Sequence, residues 1–248
     1  MSLRADVLVT IVWATSAVTL FAQDVGNIPA DSAAETAAAS PVLPAAVSVP
    51  LNEERIFKII PDYQTVQDTS RPVAPLTKRE KWNLAWREAV DPFNVASASM
   101  TAAFSQRGNQ TPRYGEGWSN YGKRFGAAVA DFSTQGFFSA GLYATVLKQD
   151  PRYFRKGPGT GVVGRTLYSV SRLFVCRSDE GRSVFNASNV LGMSTGIALS
   201  NLYYPAASRS AGIMAGRVET SLIGGITGNL MSEFWPDLQR KLFRRKAK

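Results

Sequence analysis

Residues 212–232 read GIMAGRVETSLIGGITGNLMS, and a small side chain returns at every fourth place: Gly212, Gly216, Thr220, Gly224, Gly228 and Ser232. No proline interrupts the run, and Ile, Met, Val and Leu fill the gaps, so the stretch predicts a helix. Glycine in a helix interior costs roughly 1 kcal/mol relative to alanine. Four glycines on one ridge imply that another helix backbone approaches closely there. Steps of four residues advance about 400° around a helix, so the ridge drifts by about 40° per step. A crossing at about −40° to −50°, or two partners at the two ends, is the packing expected.

The same spacing recurs at Gly192, Gly196 and Ser200, at Gly122, Gly126 and Ala130, and at Gly136, Ala140 and Ala144. Three small-faced helices packed on one another are therefore the expected centre. The fold class that follows is all-α, a compact bundle of about six helices with glycine-zipper-like faces.

Local signals place the helices. Thr77-Lys-Arg-Glu80 is a capping box, in which the hydroxyl takes an orphan amide and the glutamate reaches back. It opens a helix to about Val90. Asp91-Pro92 starts another, with Asp as N-cap and Pro at the first helical position, running to about Gln106. A long helix is expected over 119–148, ended by Asp150-Pro151. Next come a surface-lying amphipathic helix over 162–177, with Arg165 and Arg172 on one face, and an apolar helix over 186–203. The glycine-ridged helix should stop at Trp235-Pro236, because proline lacks the amide that continues a helix. Residues 53–63 suit an arm or a short strand.

Arg4 precedes the apolar run VLVTIVWATSAVTLFA, which ends in small residues before Gln23. That is the layout of a secretory signal peptide over 1–22, with a retained membrane anchor as the other reading. Residues 23–50 form an Ala/Pro-rich tether too poor in large side chains to offset its ordering entropy. A helical domain over 51–238 and a basic tail over 239–248 complete the organisation. The leader implies export to the periplasm or cell envelope.

The formal charge is +9, and the 248 residues include no histidine and a single cysteine, Cys176. Lacking histidine, the chain has neither the commonest metal ligand nor the commonest general base. No metal site and no cofactor are expected. Nucleic acid is not an expected partner either, since no aromatic-basic platform occurs. Cations of the tail would each contribute about 1 kcal/mol near anionic lipid. A membrane surface or lipid head groups, and a second copy in a homo-oligomer, are the partners expected; the plainer reading of the tail is a solvated helix end. Among the uncharged stretches only 183–208 reaches the about 20 residues that a span needs, and it contains three asparagines and Pro205. Arg217 and Glu219 interrupt the glycine helix where a span would be centred, at about 2.5–3.5 kcal/mol each.

Acidic residues inside apolar helices are the candidates for chemistry. Asp131 lies within GAAVADFSTQG, and Glu219 and Glu233 lie in the glycine helix. Asp131 or Glu233 could be an acid or base in a cleft. The plainer reading of Asp131 is an internal salt bridge with Arg124 or Arg152. In the run Asp150-Pro-Arg-Tyr-Phe-Arg-Lys-Gly157, the residues Arg152, Tyr153, Arg155 and Lys156 could seat a phosphate or lipid head group. The same run also reads as a helix stop, with Asp150 capping and the aromatics as core anchors.

Four phrases carry a resemblance: ERIFKIIPDYQTV (54–66), YGKRFGAAVADFSTQGFFS (121–139), DPRYFRKGPG (150–159) and the run over 185–237 from FNASNVLGM to SEFWPD. Over about residues 53–238 the chain resembles a family of exported bacterial proteins of acidobacterial type that carries no assigned activity. The resemblance implies export and one domain, and lends no catalytic residue. The function expected is binding or assembly at the envelope rather than catalysis. Its rivals are a histidine-free enzyme acting on a lipid or phosphorylated substrate, and a glycine-zipper oligomer that perturbs membranes.

Overall fold

The computed structural model describes residues 63–69 and 73–244, with short backbone segments at 55–56 and 60–61. The leader, the tether and the end of the basic tail lie outside the described residues. Helices dominate: α1 (Lys78–Ala89), α2 (Pro92–Gln106), α3 (Trp118–Gly136), α4 (Val162–Ser171), α5 (Ala187–Ser200) and α6 (Ala211–Arg244). The all-α class therefore holds, with short strands as trim.

Thr77 caps α1 as its sequence predicts, its hydroxyl accepting from Glu80 N while the Glu80 carboxylate accepts from Thr77 N. Asp91 caps α2, with Pro92 in the first turn. Beyond Gly136, α3 continues through a π-helical segment, Phe137–Tyr143, and a last α-turn, Ala144–Val146. That widened segment is the hub. It packs against α1 and α5, while α3 itself packs against α2 and α5. Gly141 admits the Trp82 ring and Ala85 of α1.

The glycine ridge of α6 is not this centre, and the expectation is corrected. A Cβ built on Gly212, Gly216, Gly224 or Gly228 would meet nothing within 4 Å. Those residues lie on the outer face of a peripheral helix, which touches α4 and α5 with its other side. Close approach occurs instead at Gly192 and Gly196 of α5, where added Cβ atoms would lie 2.6 Å from Ser139 Cα and 2.5 Å from Gln135 Cγ. The repeat Gly136, Ala140, Ala144 is central as expected, but Gly122 and Gly126 face open space.

Short strands clamp the helices. The first two, β1 (Arg55–Ile56) and β2 (Ile60–Pro61), pair antiparallel in the segment read as an arm or a short strand. Parallel pairing joins β3 (Thr65–Val66) to β5 (Tyr153–Phe154). Finally β4 (Gln149–Asp150), β6 (Val175–Ser178) and β7 (Ser183–Phe185) form a three-stranded ladder in that order. The helix expected to reach 177 thus ends at Ser171, and Gly181, with φ +84°, turns β6 into β7. At the other end, α6 does not stop at Pro236. It continues to Arg244 with the proline inside it, for a reason that lies in the site.

Candidate functional site

Glu233 is fully buried and accepts from four donors. Its Oε1 takes Arg165 Nε at 2.7 Å and Gly157 N at 3.0 Å; its Oε2 takes Tyr153 Oη at 2.9 Å and Lys156 N at 3.0 Å. The phrase DPRYFRKG, expected to seat an external anion, thus closes around an internal one. Gly157 holds φ +76°, a conformation glycine adopts without the Cβ clash, and this aims its amide at the carboxylate.

The same arginines hold the helix on either side of the proline. Pro236 removes the amide that would serve Ser232 O, and its ring crowds the turn before it. The Glu233 carbonyl accepts from Arg155 Nε at 2.8 Å and Arg165 Nη2 at 2.6 Å. Asp237, the residue after the proline, pairs with both guanidiniums at 2.7 Å. Burial pushes the Glu233 carboxyl upward, but the Lys156 amide, Arg165, Tyr153 and the Gly157 amide outweigh it and hold the group below its ordinary value. Every acceptor position on Glu233 is engaged, so no lone pair remains to take a substrate proton. The group acts as a clasp.

Arg152 stands apart from this clasp. Its guanidinium grips Asp150 through Nη2 at 2.6 Å and Nε at 3.0 Å, and donates to Ala74 O at 2.7 Å. Of the four residues predicted to bind a head group, Arg152, Tyr153 and Arg155 are buried on internal partners. Lys156 alone is exposed, its ammonium 5.4 Å from the Tyr168 ring centroid.

Asp131 pairs with neither Arg124 nor Arg152, and that expectation is corrected. Its oxygens accept from Tyr203 Oη at 2.6 Å and Tyr204 Oη at 2.5 Å. Arg217 stacks on the Tyr204 ring at 4.2 Å. Desolvation raises the Asp131 pKa; the two phenols and the charge of Arg217 offset only part of the rise. Arg124 is occupied elsewhere, gathering Gln106 Oε1, Asn109 Oδ1 and the carbonyls of Gln110, Pro112 and Gly115. Asp131, Arg152 and Glu233 share no partner, so the structure does not join them in one pocket. Among the described residues no group of three or more Cys, Asp and Glu side chains could hold a metal ion.

Two charged groups went unread in the sequence. Lys81 is buried, with Nζ 2.7 Å from Asp179 Oδ1 and 3.1 Å from Ala144 O. Glu88 lies over Gly136. Desolvation, partly offset by a hydrogen bond with Gln64 and reinforced by Asp91, pushes its carboxyl up to about 7. The sequence places Trp82, Ala85, Trp86 and Ala89 on one apolar face of α1, but Trp86 is exposed, and the buried face runs through Lys81, Leu84, Ala85 and the half-buried Glu88 instead.

Several large charged side chains are buried while large apolar ones stand on the surface. Fully buried large side chains include Arg124, Lys81 and Glu233, whereas Trp118, Phe104, Trp86, Val162, Val163 and Leu167 are exposed. No helix among the described residues is long and apolar enough to cross a membrane. No protein-family model, curated protein or solved structure matches the chain.

Proposed function

We propose that the protein is exported and works at the cell envelope by binding and assembly rather than by catalysis. One observation carries this reading, the inverted polarity of α4. Its Arg165 and Ser169 are 5% and 0% exposed, while Val163 and Leu167 are 73% and 66% exposed. A helix bathed in water has the opposite sense. Each large apolar side chain left in water forgoes roughly 1.5–3 kcal/mol of burial free energy. Apolar surface of this kind marks a site of association. The two carboxylates with an acid–base pedigree, Asp131 and Glu233, both have their oxygens occupied by internal donors, which lends the enzymatic alternative little support.

The test is flotation of the chain with vesicles of phosphatidylglycerol and phosphatidylethanolamine, beside analytical ultracentrifugation without lipid. Vesicle association, self-association or both are expected. A chain that stays monomeric and floats with no vesicle would overturn the reading.

A glycine-zipper contact between two copies is favoured by a second observation. The outer face of α6 presents Gly212, Gly216, Gly224 and Gly228 with open space above each. Left in water, these glycines together weaken the helix by about 4 kcal/mol relative to alanine. Cysteines placed at Thr220 or Thr227, both exposed on that face, would report the contact, because the native Cys176 is buried. Oxidation should yield linked dimers, and monomers alone would rule the zipper out.

A further inference from the structure

The inverted polarity is strongest on α2, which no charged residue interrupts from Pro92 to Gln106. Thr101 is exposed, but other polar side chains turn inward or sideways to partners. Ser99 Oγ lies 2.8 Å from Tyr121 Oη, Ser105 donates to Ala102 O at 3.2 Å, and Gln106 takes Arg124 Nε. Its outward face carries Val95, Ala96, Met100, Ala103 and Phe104, all exposed. At about 1.5 Å per residue this apolar stripe runs the length of a four-turn helix.

Beside the end of that stripe stands Trp118, the first residue of α3 and 89% exposed, its ring edge-on to Tyr121. Between them opens a cleft of about 330 Å³ lined by Ala103, Gln106, Gly117, Trp118 and Tyr121. Exposed cations follow the stripe along the same hairpin: Arg107 directly after α2, Arg113 in the connecting loop and Lys123 on α3. Glu116 is the acidic residue of that connection.

Building on the envelope reading, we infer that the α2–α3 hairpin is the element seated in the membrane, lying flat in the interfacial layer of an anionic bilayer. An apolar helix face flanked by cations is the arrangement such a layer recognises. Indole and phenol rings favour the headgroup level, where one end is apolar and the other wet. The cations complement anionic lipid phosphates, and the partly negative carbonyl end of α2 favours Arg107 beside it. The cleft beneath Trp118 is apolar and wide enough to receive the end of an acyl chain. A protein groove would need no such rim of cations.

The experiment compares vesicle flotation of the full chain and three variants, using phosphatidylglycerol with phosphatidylethanolamine against phosphatidylcholine alone. Met100→Ser with Phe104→Ser and Trp118→Ser should lower the affinity by more than about tenfold, as loss of three inserted side chains implies. Arg107→Glu with Lys123→Glu should abolish the preference for anionic vesicles at low salt, where screening is weakest. Val146→Ser with Leu202→Ser, exposed apolar side chains outside both the hairpin and α4, should bind as the native chain does. Native-like binding by the triple variant overturns the hairpin assignment while leaving envelope association intact. A native chain that ignores vesicles but dissociates into monomers on the triple substitution assigns the face to a protein contact and overturns it too. Ala103→Cys carrying an environment-sensitive fluorophore keeps the packed chain native; its emission should shift to the blue with anionic vesicles, and an unshifted label refutes the proposal.

Discussion

A Cβ added to Gly192 would lie 2.6 Å from the backbone Cα of Ser139, so the two helix backbones meet there with no room for a methyl group. At Gly196 the nearest atom is the movable Gln135 Cγ, with backbone no closer than 3.4 Å. Gly192→Ala should therefore destabilise the chain by about 1–3 kcal/mol, and Gly196→Ala by less. Gly224→Ala and Gly228→Ala, facing open space, should instead stabilise the monomer by about 0.4–1 kcal/mol. Thermal denaturation at low protein concentration reads the signs. A loss at Gly224 under those conditions would contradict its exposure.

Breaking the clasp should be costly. Glu233→Gln leaves Arg165 and Arg155 buried with one carboxylate fewer, an event worth about 3–5 kcal/mol. Because the folded carboxyl titrates below its ordinary value, its contribution is complete above the unfolded pKa. It is lost as pH falls through the lower folded one. Urea denaturation of native and variant chains should converge in strong acid and diverge toward neutrality.

Glu88 has the opposite sign. Its carboxyl rises from an ordinary 4.5 to about 7, so folding favours the protonated form. The contribution is full below the ordinary value and fades as pH rises through about 7. Glu88→Gln, which keeps the shape without the charge, should raise the melting temperature above neutrality and change little in acid. A pH-independent difference would mean the carboxylate is ionised comfortably where it lies.

Cys176 should be inert in the folded chain. Burial, partly countered by Arg172, pushes its thiol up to about 12, and the thiolate is the reactive form. A thiol reagent at neutral pH should label it only after denaturation, and rapid labelling of native protein would show that β6 opens.

The helices were legible because their ends carry chemistry: a hydroxyl and a glutamate three apart at Thr77 and Glu80, an aspartate before Pro92. The orientation of α6 was not. A glycine has no side chain to show which way it faces, so close packing and open surface write the same four-residue period. At Gly192 and Gly136 the period marked contact, while at Gly224 it did not. The phrase over 150–157 was legible as an anion-binding run, yet its anion lies 68 to 80 positions away along the chain from the groups that hold it. No local pattern reports such a partner. Pro236 read as a stop because proline's missing amide is local, whereas the guanidiniums that grip Glu233 and Asp237 on either side of it come from the end of β5 and from α4. The β6–β7 hairpin is too short for alternation to stand out from the helix before it.

The distance between clasp and anion also orders events in time. Arg165 leaves the ribosome 68 residues before Glu233, an interval of about 3–14 s at ordinary elongation rates. Throughout that interval two guanidiniums destined for the interior have no counter-charge, so they must stay hydrated and the segment around them open. Native structure around them can close only after α6 has been made and brings its carboxylates. A nascent chain arrested before Glu233 should therefore remain protease-sensitive between residues 150 and 170, and release of the full-length product should protect it.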